Sequence, residues 1–210
     1  IRDATATAPR LFSPPVKAVL GNLGFVLQFA GVLLIVPAIL STILGETVTA
    51  TGIYLTTVLL LVVGFFLNSY GEKASLNLHQ ASILVVSSLL VLTLFGTIPY
   101  LYIIPYEGSS YDVFASAFFS SAAGFTTGGI SLFDHPEDLP QSFTFYRSFT
   151  QLVGGMSFIY LIITAFYPES KLQSMRGFIS GKTLHMRELF ATITVIFILY
   201  IFIVAILLYL

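Results

Sequence analysis

Five stretches of this chain, near Val19 to Leu44, Ala50 to Ser69, Ala81 to Ile104, Phe143 to Phe166 and Leu189 to Leu210, are apolar almost without interruption. Each reaches the roughly 20 residues that a helix needs to cross a hydrocarbon core of about 30 Å. They are apolar around the whole circumference, as befits helices that face lipid or other helices rather than water. Charged residues make up 9% of the chain and hydrophobic ones 56%, against about 25% charged in an average soluble domain. Too little polar surface exists to face water. The expectation is an all-α integral membrane protein with five transmembrane helices.

The charges orient the spans. With the N-terminus in the cytoplasm, Arg2, Arg10, Lys17, Lys73, Lys171, Arg176, Lys182 and Arg187 all fall inside, as the positive-inside rule requires. Glu46, Glu107, Asp112, Asp134, Glu137 and Asp138 then fall outside, and the remaining base, Arg147, lies just within the outer end of the fourth span. The net charge is −1 and the few basic residues are scattered rather than clustered, which argues against a nucleic-acid partner. Without cysteine there is no disulfide framework or thiol chemistry. His79, His135 and His185 have no second ligand at metal-binding spacing and read as interfacial residues. The run from Lys171 to Arg187 reads as facing anionic lipid.

Residues 105–142 sit between the third and fourth spans and are themselves largely apolar. Ser109-Ser110-Tyr111-Asp112 has the pattern of a helix start, a serine followed three residues later by an acid. A helix over Val113 to Ala123 would reach about 18 Å, half a membrane, so it can enter but not cross. It gives way to Gly124-Phe125-Thr126-Thr127-Gly128-Gly129-Ile130-Ser131, after which Asp134 to Asp138 returns the chain to water. Non-helical backbone at membrane depth is tolerated only where protein buries it or where it lines a water-filled path. Glycine permits the positive φ values that turn carbonyls toward one axis, and threonine adds oxygens without charge. A Thr-Thr-Gly-Gly run alone is an ordinary turn. Behind a half-length helix between two full spans, it reads as a re-entrant pore helix with a filter loop.

The fourth span places Arg147, Gln151, Gly154, Gly155 and Phe158 at helical spacing on one face, so that Arg147 and Gln151 reach the back of the loop. An intramembrane charge needs a partner, for which Asp134, Glu137, Asp138 or loop carbonyls are candidates; the plainer reading is that Arg147 snorkels to the interface. Gly154 and Gly155 read as a site of close helix approach, as do Gly64 and Gly71 in the second span and Gly21, Gly24 and Gly31 in the first.

Two linked motifs, Ser121-Ala122-Ala123-Gly124-Phe125-Thr126-Thr127-Gly128-Gly129 and Arg147-Ser148-Phe149-Thr150-Gln151-Leu152-Val153-Gly154-Gly155-Met156, together resemble the Trk/Ktr/HKT superfamily of potassium transporters, and most of all its Trk-type membrane subunit. Members typically carry Gly-Phe-Thr-Thr-Thr-Gly and then Arg-Ser-x-x-Gln-x-x-Gly-Gly. The resemblance covers Tyr111 to Met156. It implies four helix–pore-loop–helix units around one pathway, with two extra helices in front. On that plan residues 1–18 are a cytoplasmic arm, 19–70 the extra pair, and 81–167 the first unit. Residues 168–188 are then a cytoplasmic linker, and 189–210 the first helix of a second unit that continues beyond a cut end.

By the same resemblance the ion-binding filter residues are Thr126, Thr127, Gly128 and Gly129, with Gly129 the selective glycine and Gly124, Arg147 and Gln151 as support. Gly128 replaces a third Thr of many members, which loosens the loop and leaves the exact set of coordinating carbonyls open. The function implied is potassium uptake across the cell membrane, with no cofactor beyond the transported ion and no covalent reaction. The superfamily also contains sodium-conducting members, and a non-conducting assembly subunit is a further alternative. An intramembrane enzyme fails for want of paired carboxylates, a Ser-His or Cys-His pair, or a His cluster within the spans. Likeness to the family further implies a homodimer and a cytosolic nucleotide-binding regulatory subunit as partners, besides lipid and the remaining pore units.

Overall fold

The structure, a computed structural model, describes residues 14–71, 76–103, 109–133, 135–166 and 186–209. Among these every regular element is helical. In chain order they are α1 (Pro14–Ile43), α2 (Thr47–Tyr70), α3 (Leu78–Gly96), α4 (Ile98–Ile103), α5 (Ser110–Phe125), a 3-10 turn (Pro136–Asp138), α6 (Gln141–Phe166) and α7 (Met186–Tyr209). Asp134 and Glu107, most of the 1–18 arm and nearly all of the 168–188 linker lie outside the described residues.

Among the described residues, four segments are long and apolar enough to cross a membrane: Val16–Ile43, Thr47–Tyr70, His79–Ile103 and Ala191–Tyr209. At 26 residues, α6 is long enough, at about 39 Å, but its first half carries Gln141, Ser142, Thr144, Arg147, Ser148, Thr150 and Gln151. That polar half lies against α5 and the loop that follows it.

Helix α1 starts at Pro14, inside the 1–18 stretch expected to be an arm ahead of the first span. Proline lacks an amide hydrogen, but the first turn of a helix has no use for one, so Pro14-Pro15 opens the helix rather than delaying it. The third span, expected as one helix, is broken at Thr97 into α3 and α4. Pro99 cannot donate to the carbonyl of Phe95 four residues back, and that carbonyl instead accepts the Thr56 hydroxyl of α2 at 3.0 Å. Gly52 makes room on the α2 side, since a Cβ there would lie 2.9 Å from Pro99 Cα.

Helices α1 and α2 form an antiparallel hairpin packed through small residues. A Cβ on Gly24 would stand 2.6 Å from the Gly64 carbonyl oxygen, and one on Gly31 would stand 2.9 Å from Leu61 Cγ. Close backbone approach of this kind substitutes packing for the hydrophobic drive that lipid cannot supply. Asn68 donates across the pair to Gln28 Oε1 at 3.2 Å. Helix α6 runs antiparallel to α1, with the Phe25 and Tyr160 rings 4.9 Å apart. Leu27, Leu34, Ile53, Leu60, Leu84, Leu92 and Tyr146 fill the centre of the bundle.

Candidate functional site

Helix α5 begins as its residue types demand. Ser109 Oγ accepts from the Asp112 amide at 3.3 Å, and the Asp112 carboxylate accepts from the Ser109 amide at 3.2 Å and from its hydroxyl at 2.6 Å. This reciprocal cap satisfies donors that the helix would otherwise leave bare. The helix runs three residues further back and two further forward than the 113–123 core expected from sequence. Its 16 residues reach about 24 Å, still short of a hydrocarbon core.

The far half of α5 is buried and tied to the surrounding helices. Ser121 Oγ donates to the Thr93 carbonyl at 2.8 Å, and Tyr100 Oη donates to the Ser120 carbonyl at 3.3 Å. Tyr146 Oη reaches across from α6 to the Gly96 carbonyl at 3.1 Å. The ring of Phe125 packs onto Gly96, where no side chain could fit beside it. Gly124 is equally crowded, for a Cβ there would lie 2.5 Å from Thr150 Oγ1.

Beyond Phe125 the backbone curls back over the end of its own helix. The Thr126 amide donates to Ala122 O at 2.9 Å, Thr127 to Gly124 O at 3.0 Å, and Gly129 to Ala123 O at 3.0 Å. The terminal carbonyls of α5 are thereby satisfied, as in a Schellman-type end. The turn needs two left-handed residues, Thr127 at φ +61 and Gly129 at φ +66. Glycine adopts this conformation without penalty, whereas for a β-branched threonine it is an outlier that surrounding contacts must hold. Thr126, Thr127, Gly128 and Gly129 are all exposed, as are Ile130, Ser131 and Leu132. Thr126 Oγ1 is turned back to Ala122 O at 2.7 Å.

The back of this run rests on one face of α6. A Cβ on Gly129 would sit 3.5 Å from Gln151 Nε2, so the Gln151 amide group stands beside Gly129. Gly155 faces the Thr127 methyl, a Cβ there falling 3.7 Å from Thr127 Cγ2. Gly154 meets the backbone carbonyl of Phe125 so closely that any Cβ would overlap it. The close helix approach expected at these glycines is made at Gly154 by the end of α5, while Gly155 meets Thr127 just beyond it. Arg147 lies one turn above Gln151 with its guanidinium 4.5 Å from the centroid of Phe133. Arg147 thus lies against the returning segment at Phe133, while Gln151 is the side chain next to Gly129. Phe158 points away and is exposed.

Sequence reasoning missed the residue that holds the top of α6. The Glu46 carboxylate, in the α1–α2 turn, accepts the Gln141 amide at 2.9 Å and the Ser142 amide at 3.0 Å, and it also takes the Ser142 hydroxyl. The available signal was Pro140, a residue with no side-chain acceptor at a position where helices usually supply one.

A half-length helix brings the negative end of its dipole to the loop. Asp112 stands at the start of α5, Glu137 and Asp138 in the 3-10 turn that precedes α6, and Glu46 meets the start of α6. Exposed backbone, hydroxyl oxygens and acidic surroundings together suit a partly dehydrated cation.

Comparison with known proteins gives two findings. The family model for TrkH, described as a cation transport protein, matches residues 44–210. The chain is 28% identical over 152 residues to an uncharacterized cation transporter of Methanocaldococcus jannaschii, an overlap of 72% of this chain and 31% of the relative. The chain thus spans about a third of the length of the curated relative it matches. No solved structure matches.

Proposed function

The chain belongs to the TrkH family of cation transport proteins, and from that premise we propose that it supplies one quarter of a potassium-selective pathway across the plasma membrane. The family is one of transporters rather than an enzyme class. Helices α1, α2, α3 with α4, α6 and α7 are the five crossings, and α5 is the re-entrant pore helix. The N-terminus is cytoplasmic. Thr126, Thr127, Gly128 and Gly129 offer oxygens to the ion, and Gly124, Gln151 and Arg147 hold the loop from behind. The remaining quarters come from three further units of a longer parent chain. A homodimer and a cytosolic nucleotide-binding subunit belong to this proposal by family resemblance.

One observation carries the reading: the Thr126–Gly129 run is exposed on one side while its other side is backed by Gln151 and Gly155 of α6. Gly154 and Gly155 leave room on α6 for the loop to lie against the helix, and Gln151 stands beside Gly129, so the run is seated with its far side open. Uptake needs no covalent chemistry, because an interior negative by 100 mV favours entry of each monovalent cation by about 2.3 kcal/mol.

The test is rubidium uptake into proteoliposomes carrying the full-length parent, native or Gly129→Ser, with potassium or sodium as competitor. Competition by potassium that weakens relative to sodium in the variant supports a potassium filter at Gly129. Equal competition by both ions in the native protein replaces potassium with a sodium-permeable pathway. No uptake under any gradient overturns the transport reading.

A further inference from the structure

Helix α6 has no local cap for its first turn. Pro140, the residue before it, has no side-chain oxygen, and its carbonyl is taken by the amides of Phe143 and Thr144, both at 3.0 Å. The two amides ahead of those, of Gln141 and Ser142, would be left bare. They are met by the two oxygens of one carboxylate from the far end of the α1–α2 hairpin, Oε1 and Oε2 of Glu46. The Ser142 hydroxyl donates to the same Oε2.

Glu46 starts from a fixed base. Its own amide donates to Ser41 O at 3.0 Å, and its carbonyl receives the Ala50 amide at 2.9 Å, so it is also the residue that opens α2. A carboxylate at a helix N-terminus is favoured by the dipole, and charge-assisted hydrogen bonds are the strong ones. Gripping two successive amides does more than stabilise. Each residue of a helix turns about 100° and rises about 1.5 Å, so a two-point grip sets both the rotation and the height of α6. Gln151, about 15 Å down the same helix, is the side chain that stands beside Gly129. The Tyr146 hydroxyl bond and the Gly154 contact then have one rotation in which they can form.

We infer that Glu46 is a positioning residue for the loop: the α1–α2 hairpin, through this one carboxylate, holds α6 at the height and rotation at which Gln151 backs Gly129. The inference rests on the transport reading above and gives the two leading helices a task within it. Glu46 acts through α6 and touches no ion.

The experiment is rubidium uptake by the full-length parent in proteoliposomes, with the ratio of potassium to sodium competition as readout and thermal unfolding in detergent measured beside it. Glu46→Ala is expected to lower the competition ratio severalfold in protein that remains folded. Glu46→Gln, which keeps the length and one acceptor oxygen, is expected to fall between. Should Glu46→Ala fail to accumulate, Glu46→Gln and Ser142→Ala carry the test, each with a smaller shift in the same direction. A lowered unfolding temperature with an unchanged ratio in every variant overturns the inference alone, since Glu46 would then be only a stabilising cap. A native protein without uptake overturns the transport reading and this inference with it.

Discussion

The carbonyl oxygen of Phe125 rests against the α-carbon of Gly154, and no side chain of any size fits between them. This contact sits where α5 ends and the exposed loop begins. It fixes the last regular residue of α5 against the middle of α6, and through Gly155 and Gln151 the same face meets Thr127 and Gly129. The loop is thus seated on a helix rather than suspended from one.

Gly154→Ala and Gly155→Ala should therefore differ sharply. The first sets a methyl group against backbone, which cannot rotate away, and overpacking of that kind costs about 1–3 kcal/mol. The second places its methyl 3.7 Å from Thr127 Cγ2, an ordinary van der Waals distance. Thermal unfolding of the parent in detergent is expected to show a clear loss for Gly154→Ala and little for Gly155→Ala. Equal losses would mean that α5 does not end against α6.

The two left-handed residues lend themselves to a second comparison. An L-residue in this conformation costs roughly 1–2 kcal/mol, so Gly129→Ala should destabilise by that amount although a Cβ there would lie at an ordinary contact distance, 3.5 Å, from Gln151 Nε2. In Thr127→Gly the relief of strain at φ +61 is offset by the added freedom of the unfolded chain, about 0.5–1 kcal/mol. Stability should change by less than about 1 kcal/mol, while potassium over sodium discrimination in rubidium uptake falls because the methyl contact to Gly155 is gone. A large stability loss in Thr127→Gly would sink this account of the turn.

Apolar runs long enough to span a membrane are a property of local sequence, which is why the helices could be placed from composition alone. Ser109 and Asp112 likewise announced the start of α5, because a capping box is complete within four residues. The break at Thr97 was also written locally, in Pro99, but an unbroken apolar run masks a single missing hydrogen bond. Glu46 was a different case. Its partners lie 95 and 96 positions away, and no periodicity links a turn acid to an uncapped helix that distant. Gly154 was recognised as a place of close helix approach, yet which helix approached it depended on how α5 and α6 meet. Arg147 invited an acidic partner by its charge, and the structure adds an aromatic one, Phe133, whose role as a cation acceptor has no spacing signature.

Arg147 and Phe133 should couple. A guanidinium over an aromatic face is worth about 0.5–1 kcal/mol when exposed and about 2 when desolvated, and Arg147 is half-buried. A double-mutant cycle of Arg147→Gln and Phe133→Leu, read by thermal unfolding, is expected to return a coupling within that range. Arg147→Lys should recover part of it, since an ammonium keeps the charge but not the flat stacking surface. Strict additivity would show that the two side chains are neighbours without interacting.

The start and the end of α5 should separate stability from selectivity. Ser109→Ala removes the oxygen that accepts the Asp112 amide, and loss of such a cap costs about 0.5–2 kcal/mol. That fraying begins some five turns from the loop. The far end is held independently, by Ser121 on the Thr93 carbonyl and by Tyr100 on the Ser120 carbonyl. Ser109→Ala is accordingly expected to lower the unfolding temperature of the parent while leaving the potassium to sodium competition ratio unchanged, and Ser109→Asp should restore most of the loss. Ser121→Ala, by contrast, removes the hydroxyl that ties the buried end of α5 to the Thr93 carbonyl of α3 and should disturb both measurements. If Ser109→Ala altered the ratio as strongly as Ser121→Ala, α5 would be moving as one rigid piece, and its anchors at Thr93 and Tyr100 would not be holding the loop end in place.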